Sequence, residues 1–157
     1  MLRRILVPVD FSRSSRAALE YATLLAGRFE AEIELLHVWD PERRKEDRDL
    51  VSLGLHSCTE AGRKMKEWLL SLAPALRERA HGRLEVGDPC ARIVEAAGRH
   101  DLVVMGTRDR PAMARLLHGS VAQKVARRSH CPVLTVHAEP EAPVQRAPLG
   151  ILVGEPA

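Results

Sequence analysis

Short runs of almost unbroken apolar character recur along this chain, and between them the apolar residues switch to a helical spacing. The runs are Ile5–Val9, Ala31–Trp39, Asp101–Met105 and Pro132–Val136. A strand with one face in water alternates apolar and polar residues, whereas a strand buried on both faces reads as a continuous apolar stretch. Runs of the second kind need helices on both sides of the sheet, and helical connections make neighbouring strands parallel. An all-helical bundle and an antiparallel sandwich are thereby disfavoured.

The connecting segments agree. "FSRSSRAALEYATLLAG" sets Ala17, Ala18, Tyr21, Ala22, Leu24 and Leu25 at helical spacing, with serines at its start and Gly27 near its end. "DPERRKEDRDL" is too charged for a core and reads as a loop or an exposed helix start. Ser57 and Glu60 have capping-box spacing, which opens a helix through Met65, Trp68, Leu69 and Leu72 that Pro74 ends or kinks. A strand within Leu76–Val86 is placed by elimination, since its alternation is weak and Gly82 interrupts it. In "GDPCARIVEAAG", Asp88 is the N-cap, Pro89 the first helical residue and Gly98 the stop. Ser120 opens a last helix carrying Val121, Ala122, Val125 and Ala126.

The order β-α-β-α-β-α-β-α-β predicts an open five-stranded parallel sheet of order 3-2-1-4-5 with helices on both faces, a Rossmann-like α/β fold. The expected domain covers residues 1–137. The remainder, 138–157, holds four prolines that argue against a helix. Two readings of it stay open: a mobile tail, or a segment in which 149–153 adds an edge strand or packs on a partner subunit.

With 157 residues the chain is long enough for one domain with a sizeable core. Its 45% hydrophobic and 29% charged residues exclude a disordered class. No apolar run approaches the roughly 20 residues of a membrane span, and the start lacks the apolar stretch of a signal peptide, so a cytoplasmic protein without a membrane partner is expected. A net charge of +3 and a pI of about 9.0 do not point to nucleic acid, because basic and acidic residues are mixed along the chain and no basic stripe is interleaved with aromatics. Cys58, Cys90 and Cys131 are odd in number and widely spaced; small buried hydrophobes are expected rather than a metal cluster or disulfide framework.

A sheet of this order opens a crevice beyond the carboxyl ends of its first and fourth strands, where successive connections leave in opposite directions. The rim segments there are "PVDFS" and "MGTRD". Gly106 lets backbone approach a ligand without a Cβ in the way, and Gly119 with Ser120 offers free N–H groups and a hydroxyl to an anion at a helix start. From spacing alone, a tight turn followed by an N-cap serine explains the same residues. Neither a P-loop nor a dinucleotide fingerprint is present. His118 reads as an exposed loop residue and His37 as a satisfied core histidine. No nucleophile is assigned.

"ILVPVDFSRSSRAALEYA", "IELLHV", "GDPCARIVEAA", "DLVVMGTR" and "LLHGSVAQKVARRSHCPVLTV" occur in the order and spacing of the universal stress protein family, which the chain resembles from about Leu2 to Val136. The resemblance implies an α/β fold like that of the adenine nucleotide alpha hydrolases, commonly dimeric. One branch binds ATP through a pattern of G, two residues, G, nine residues, G, then S or T. Gly106, Gly119 and Ser120 match it, while Asp109 stands where the middle glycine belongs. Pro8, Asp10 and Val38 match positions at the nucleoside end of that site, with Val9 between the first two. Met105 and Val121 match phosphate-side walls. For Asp10 a turn or cap role is the alternative. The implied ligand is ATP or another adenine nucleotide, and a Mg ion accompanying it would find carboxylates in Asp10 and Asp109. The implied homodimer pairs through the short apolar edge strand at 132–137.

Asp109 brings a negative charge to the phosphate end. Two unit charges about 5 Å apart repel by roughly 3 kcal/mol at an effective dielectric near 20. Arg108 and Arg110 flank it: turned inward, a guanidinium meets the phosphate and Asp109 holds it; turned outward, the carboxylate stands against the ligand. The functions to be weighed are a regulatory nucleotide-binding protein, a nucleotide-free dimeric interaction module of the same fold, and a slow ATP hydrolase.

Overall fold

Five consecutive residues with no helix-capping signal, four of them apolar, form the first strand, β1 (Arg4–Pro8). Ile5, Leu6 and Val7 are fully buried on both faces of the sheet, worth about 1.5–3 kcal/mol each in removed apolar surface. A computed structural model describes residues 1–44, 50–107 and 121–138, and within them the order is β1, α1 (Arg13–Phe29), β2 (Glu32–Trp39), a 3-10 turn (Pro41–Arg44), α2 (Leu50–Leu70), α3 (Pro74–Arg77), β3 (Ala80–Val86), α4 (Pro89–Ala97), β4 (Leu102–Thr107), α5 (Val121–Arg128) and β5 (Val133–His137). All strand pairs are parallel and the order is β3-β2-β1-β4-β5, as the alternation predicts.

Two helix layers enclose the sheet. On one face Leu19, Ala22 and Ala26 of α1 and Met65 of α2 pack on Ile5, Val7, Ile33, Leu35 and Val104. On the other, Cys90, Ile93, Ala96 and Ala97 of α4 and Ala122 and Val125 of α5 cover Leu6, Leu36, Val103 and Met105. Of the three cysteines only Cys90 is fully buried; Cys58 and Cys131 are partly so. No helix among the described residues is long and apolar enough to cross a membrane.

Several local expectations are corrected. Helix α1 runs past Gly27 to Phe29, and Glu30, with φ of 56°, closes it by donating its backbone N–H to the Ala26 carbonyl. Tyr21 and Leu24 share the helical spacing yet are 53% and 71% exposed, because the face turned to the sheet is carried by small alanines and Leu19. Ser57 and Glu60 are not a capping box: α2 begins seven residues earlier and the pair lies inside it, where Glu60 meets Lys64 one turn on at 2.8 Å. That helix ends at Leu70, and Pro74 starts the short α3 rather than ending α2. The weak third strand is narrowed to Ala80–Val86. Its Gly82 has a packing reason, since a Cβ there would lie 2.5 Å from the Met65 Cγ of α2. Asp101 is not part of β4; its carboxylate accepts the backbone N–H groups of Arg3 and Arg4 at 2.9 and 2.8 Å and ties the start of β1 to that of β4. Asp88 caps α4 as expected, accepting from the Ala91 N–H at 2.7 Å.

Candidate functional site

Beyond the carboxyl ends of β1, β2 and β4 lies a cleft of about 530 Å³, within the usual range of small-molecule sites. Its position follows from topology: the chain leaves β1 toward α1 on one face of the sheet, and the chain that leaves β4 returns through α5 on the other. Of the residues singled out in the sequence, Pro8, Val9, Asp10, Val38, Met105, Gly106 and Val121 line this one cleft. Arg108, Asp109, Gly119 and Ser120 lie outside the described residues, as do Arg110, His118 and the segment 149–153.

Gly106 has a second reason to be glycine. A Cβ there would sit 2.3 Å from the Ser14 carbonyl carbon and oxygen and 2.7 Å from the Ser15 nitrogen. The first turn of α1 is thus laid directly on the backbone of β4, which brings the buried Ser14 and Ser15 to the cleft wall. Close backbone approach, expected toward a ligand, is already used within the fold.

Asp10 likewise combines its two readings. It lines the cleft, and its carboxylate accepts the Ser12 backbone N–H at 3.0 Å together with the Ser12 hydroxyl. Ser12 in turn caps α1, accepting from the Ser15 N–H at 3.3 Å. Between them Phe11 takes a φ of 60°, an uncommon conformation for a bulky residue. Its ring reaches His37 at 4.9 Å and stands edge-on to Trp68 at 5.4 Å.

His37 is satisfied, as expected, but it is a cleft residue rather than a core one. A carbonyl can only accept, so Nδ1 donates to Val9 at 2.8 Å and the neutral ring keeps its lone pair on Nε2. The α2 wall was not foreseen. Ser57, Glu60, Ala61 and Lys64, one face of the helix by their i, i+3, i+4, i+7 spacing, line the cleft with Trp39 and Asp40. That stripe, whose Ser57 and Glu60 read in the sequence as a capping box, was the available signal. Lys64 holds the Glu60 carboxyl below its usual range, first by its hydrogen bond and then by its charge. Asp40 and Glu60 are carboxylates of the cleft beside Asp10, beyond the two that the sequence offered for a Mg ion. No group of three His, Cys, Asp or Glu among the described residues is arranged to hold a metal ion.

A switch-point cleft with apolar and polar walls and glycine at the strand end places the chain among the doubly wound α/β domains. The sequence profile of the universal stress protein family matches residues 1–137, and the chain belongs to that family. It is 32% identical over 143 residues to universal stress protein MJ0531 of Methanocaldococcus jannaschii, covering 87% of this chain and 82% of that one. Among solved structures it is similar to universal stress protein UspA from Lactobacillus plantarum, with a TM-score of 0.74 at 26% identity over 86% of this chain and 97% of that one. It is also similar to a universal stress protein solved in complex with cAMP, with a TM-score of 0.58 at 27% identity over 88% and 98% of the two chains.

Proposed function

We propose that the cleft holds an adenine nucleotide and that the protein responds to stress through this binding rather than through chemistry on the ligand. The observation that carries the reading is convergence: seven residues picked out in four separate parts of the sequence line a single cleft at the switch point. Val9, Val38, Leu36 and Met105 offer apolar surface to a purine, and Asp10 stands at the rim with acceptor oxygens suited to a ribose hydroxyl. The similar protein solved with cAMP binds an adenine nucleotide, which supports the same ligand class here. Gly119 and Ser120 are proposed to receive the phosphates at the start of α5, where free N–H groups and the helix dipole favour an anion. Mg, if it accompanies the nucleotide, is proposed to be met by Asp10 or Asp109.

The working unit is proposed to be a cytoplasmic homodimer. Among the described residues strand β5 pairs only with β4, and Leu134 on its outer side is 39% exposed. Asp109, where the ATP-binding pattern has glycine, favours the second reading, a nucleotide-free interaction module of the same fold.

Mass spectrometry of what the purified protein releases on acid treatment separates the two. Adenine nucleotide in near-stoichiometric amount is the expected result. Its absence, together with no heat of binding for ATP, AMP or cAMP in calorimetric titration, leaves the interaction module.

A further inference from the structure

At the opposite end of the sheet a smaller pocket of about 250 Å³ is lined by Arg4, Glu32, Glu34, His81, Arg99 and His100. All six side chains are charged or titratable. Three elements and the residues just after α4 bring them together: Arg4 from β1, Glu32 and Glu34 from β2, His81 from β3, and Arg99 and His100 beyond α4.

Glu34 is the hub. Its side chain is only 13% exposed, and its Oε2 lies 3.2 Å from His81 Nε2 and 3.4 Å from His100 Nε2, while Arg83 Nη2 stands 2.7 Å from Oε1. Even so, Glu34 Oε1 and the Arg83 Nε and Nη2 atoms are buried without a completed hydrogen bond, an unsatisfied state that buried polar atoms rarely keep. His100 is 5% exposed, and its Nδ1 must donate to the Ala96 carbonyl at 2.8 Å. In the neutral ring Nε2 therefore faces Glu34 lone pair to lone pair, so the contact becomes attractive only once a proton lies between them. No metal arrangement replaces that proton among the described residues.

The pairing of charges leaves Arg99 over for an anion. Arg83 is shared by Glu34 at 2.7 Å and Glu85 at 2.8 Å, and Arg92 by Glu85 at 3.9 Å and Glu95 at 3.2 Å. Glu32 faces Arg4 in strand register. Asp101, next in the chain, turns its carboxylate to the Arg3 and Arg4 backbone. Arg99 is left without an ion-pair partner among the described residues, at the negative end of α4 that also favours a charged His100.

We propose that this pocket is a second binding site, for a small oxyanion of the phosphate type, received by Arg4, Arg99 and His81, with the buried His100 behind them held to Glu34. The site is distinct from the nucleotide cleft: β1 separates the two ends by roughly 13 Å at about 3.3 Å per residue.

Histidine ring NMR signals of the full-length protein, followed through a titration with inorganic phosphate at constant ionic strength, test this. At pH 6 the His81 and His100 signals should move together and saturate. His37, in the cleft, is the internal control, since a phosphate bound there moves His37 instead. The double variant R4Q/R99Q should abolish the response, and H81Q, at a largely exposed position, should weaken it with the fold intact by its melting curve. Unmoved or linearly drifting His81 and His100 signals, an equal response to chloride, or an unchanged response in R4Q/R99Q overturns the proposal.

Discussion

At the carboxyl ends of the strands the cleft mixes apolar walls from Pro8, Val9, Val38, Met105 and Val121 with polar groups, several of which, such as Asp10 and His37, are fixed by neighbours. At the amino ends the smaller pocket has no apolar wall residue at all. Yet the same strands serve both, with Ile5–Val7 and Ile33, Leu35 and Leu36 buried between them. The middle of a doubly covered strand has to be apolar whatever the protein does; its ends are free to differ. At the carboxyl end the crevice exists because connections diverge, so apolar residues line it without being sealed into the core. At the amino end α4 stops short, and Glu34, three residues into β2, faces histidines and arginines instead of a helix.

The contrast can be broken most severely at Gly106. Gly106→Ala places a Cβ 2.3 Å from the backbone of Ser14, so α1 must shift off β4. The expected loss is about 3 kcal/mol or more of unfolding free energy, measured by urea denaturation. A loss below ~0.5 kcal/mol means that the first turn of α1 gives way easily and that the glycine serves a ligand alone.

Val38→Asp puts a charge in the apolar wall while leaving the amino-end pocket untouched. Affinity for an adenine nucleotide should fall about a hundredfold with little change in melting temperature, and calorimetry reads both arms of the comparison if phosphate binding is followed in the same variant. Equal losses at both ends would dissolve the distinction between them.

Asp109→Gly sharpens the cleft reading. Removing a like charge from the phosphate end should tighten ATP binding about tenfold, since 1.4 kcal/mol is a factor of ten and the unscreened repulsion is larger. Unchanged or weaker binding assigns Asp109 to holding Arg108 or Arg110.

The smallest effect is expected at Asp101. The Arg3 and Arg4 backbone N–H groups hold its carboxyl below its ordinary value of 3.8 in the folded chain. A carboxyl depressed by folding contributes stability above its unfolded value and loses that contribution as pH falls through the folded one. Asp101→Asn should therefore cost about 1 kcal/mol near neutral pH, a modest figure because the group is exposed, and the difference from wild type should shrink below pH 3.8. Urea midpoints across that range give the answer.

The strand runs were legible because full burial leaves a composition that needs no partner to recognise: Ile5–Val7 and Val103–Met105 read as strands in isolation. Helix ends were legible where a side chain caps its own backbone, as at Asp88, and misread where a packed neighbour decides, as at Glu30 and Ser57. Seven cleft residues were found because the rim of a switch point follows from strand order. Lys64 and the rest of the α2 wall were missed because they approach the cleft from outside its motifs, whereas Phe11 sits inside the rim segment and was missed because its left-handed backbone, which aims the ring, leaves no mark in the sequence.

What the sequence determined alone is the set of strands, their parallel pairing and their order, along with the rim segments that face the crevice. The strands and their parallel pairing follow from burial and connection rules acting on neighbours in the chain, and the order 3-2-1-4-5 is one of the two that such a sheet commonly takes. Only the tertiary structure decided why Gly106 and Gly82 are glycines, which side of α1 is exposed, and that Glu34, His81, Arg83 and His100 meet. Those outcomes depend on contacts between residues dozens of positions apart, and a pattern read along the chain carries no distance across it.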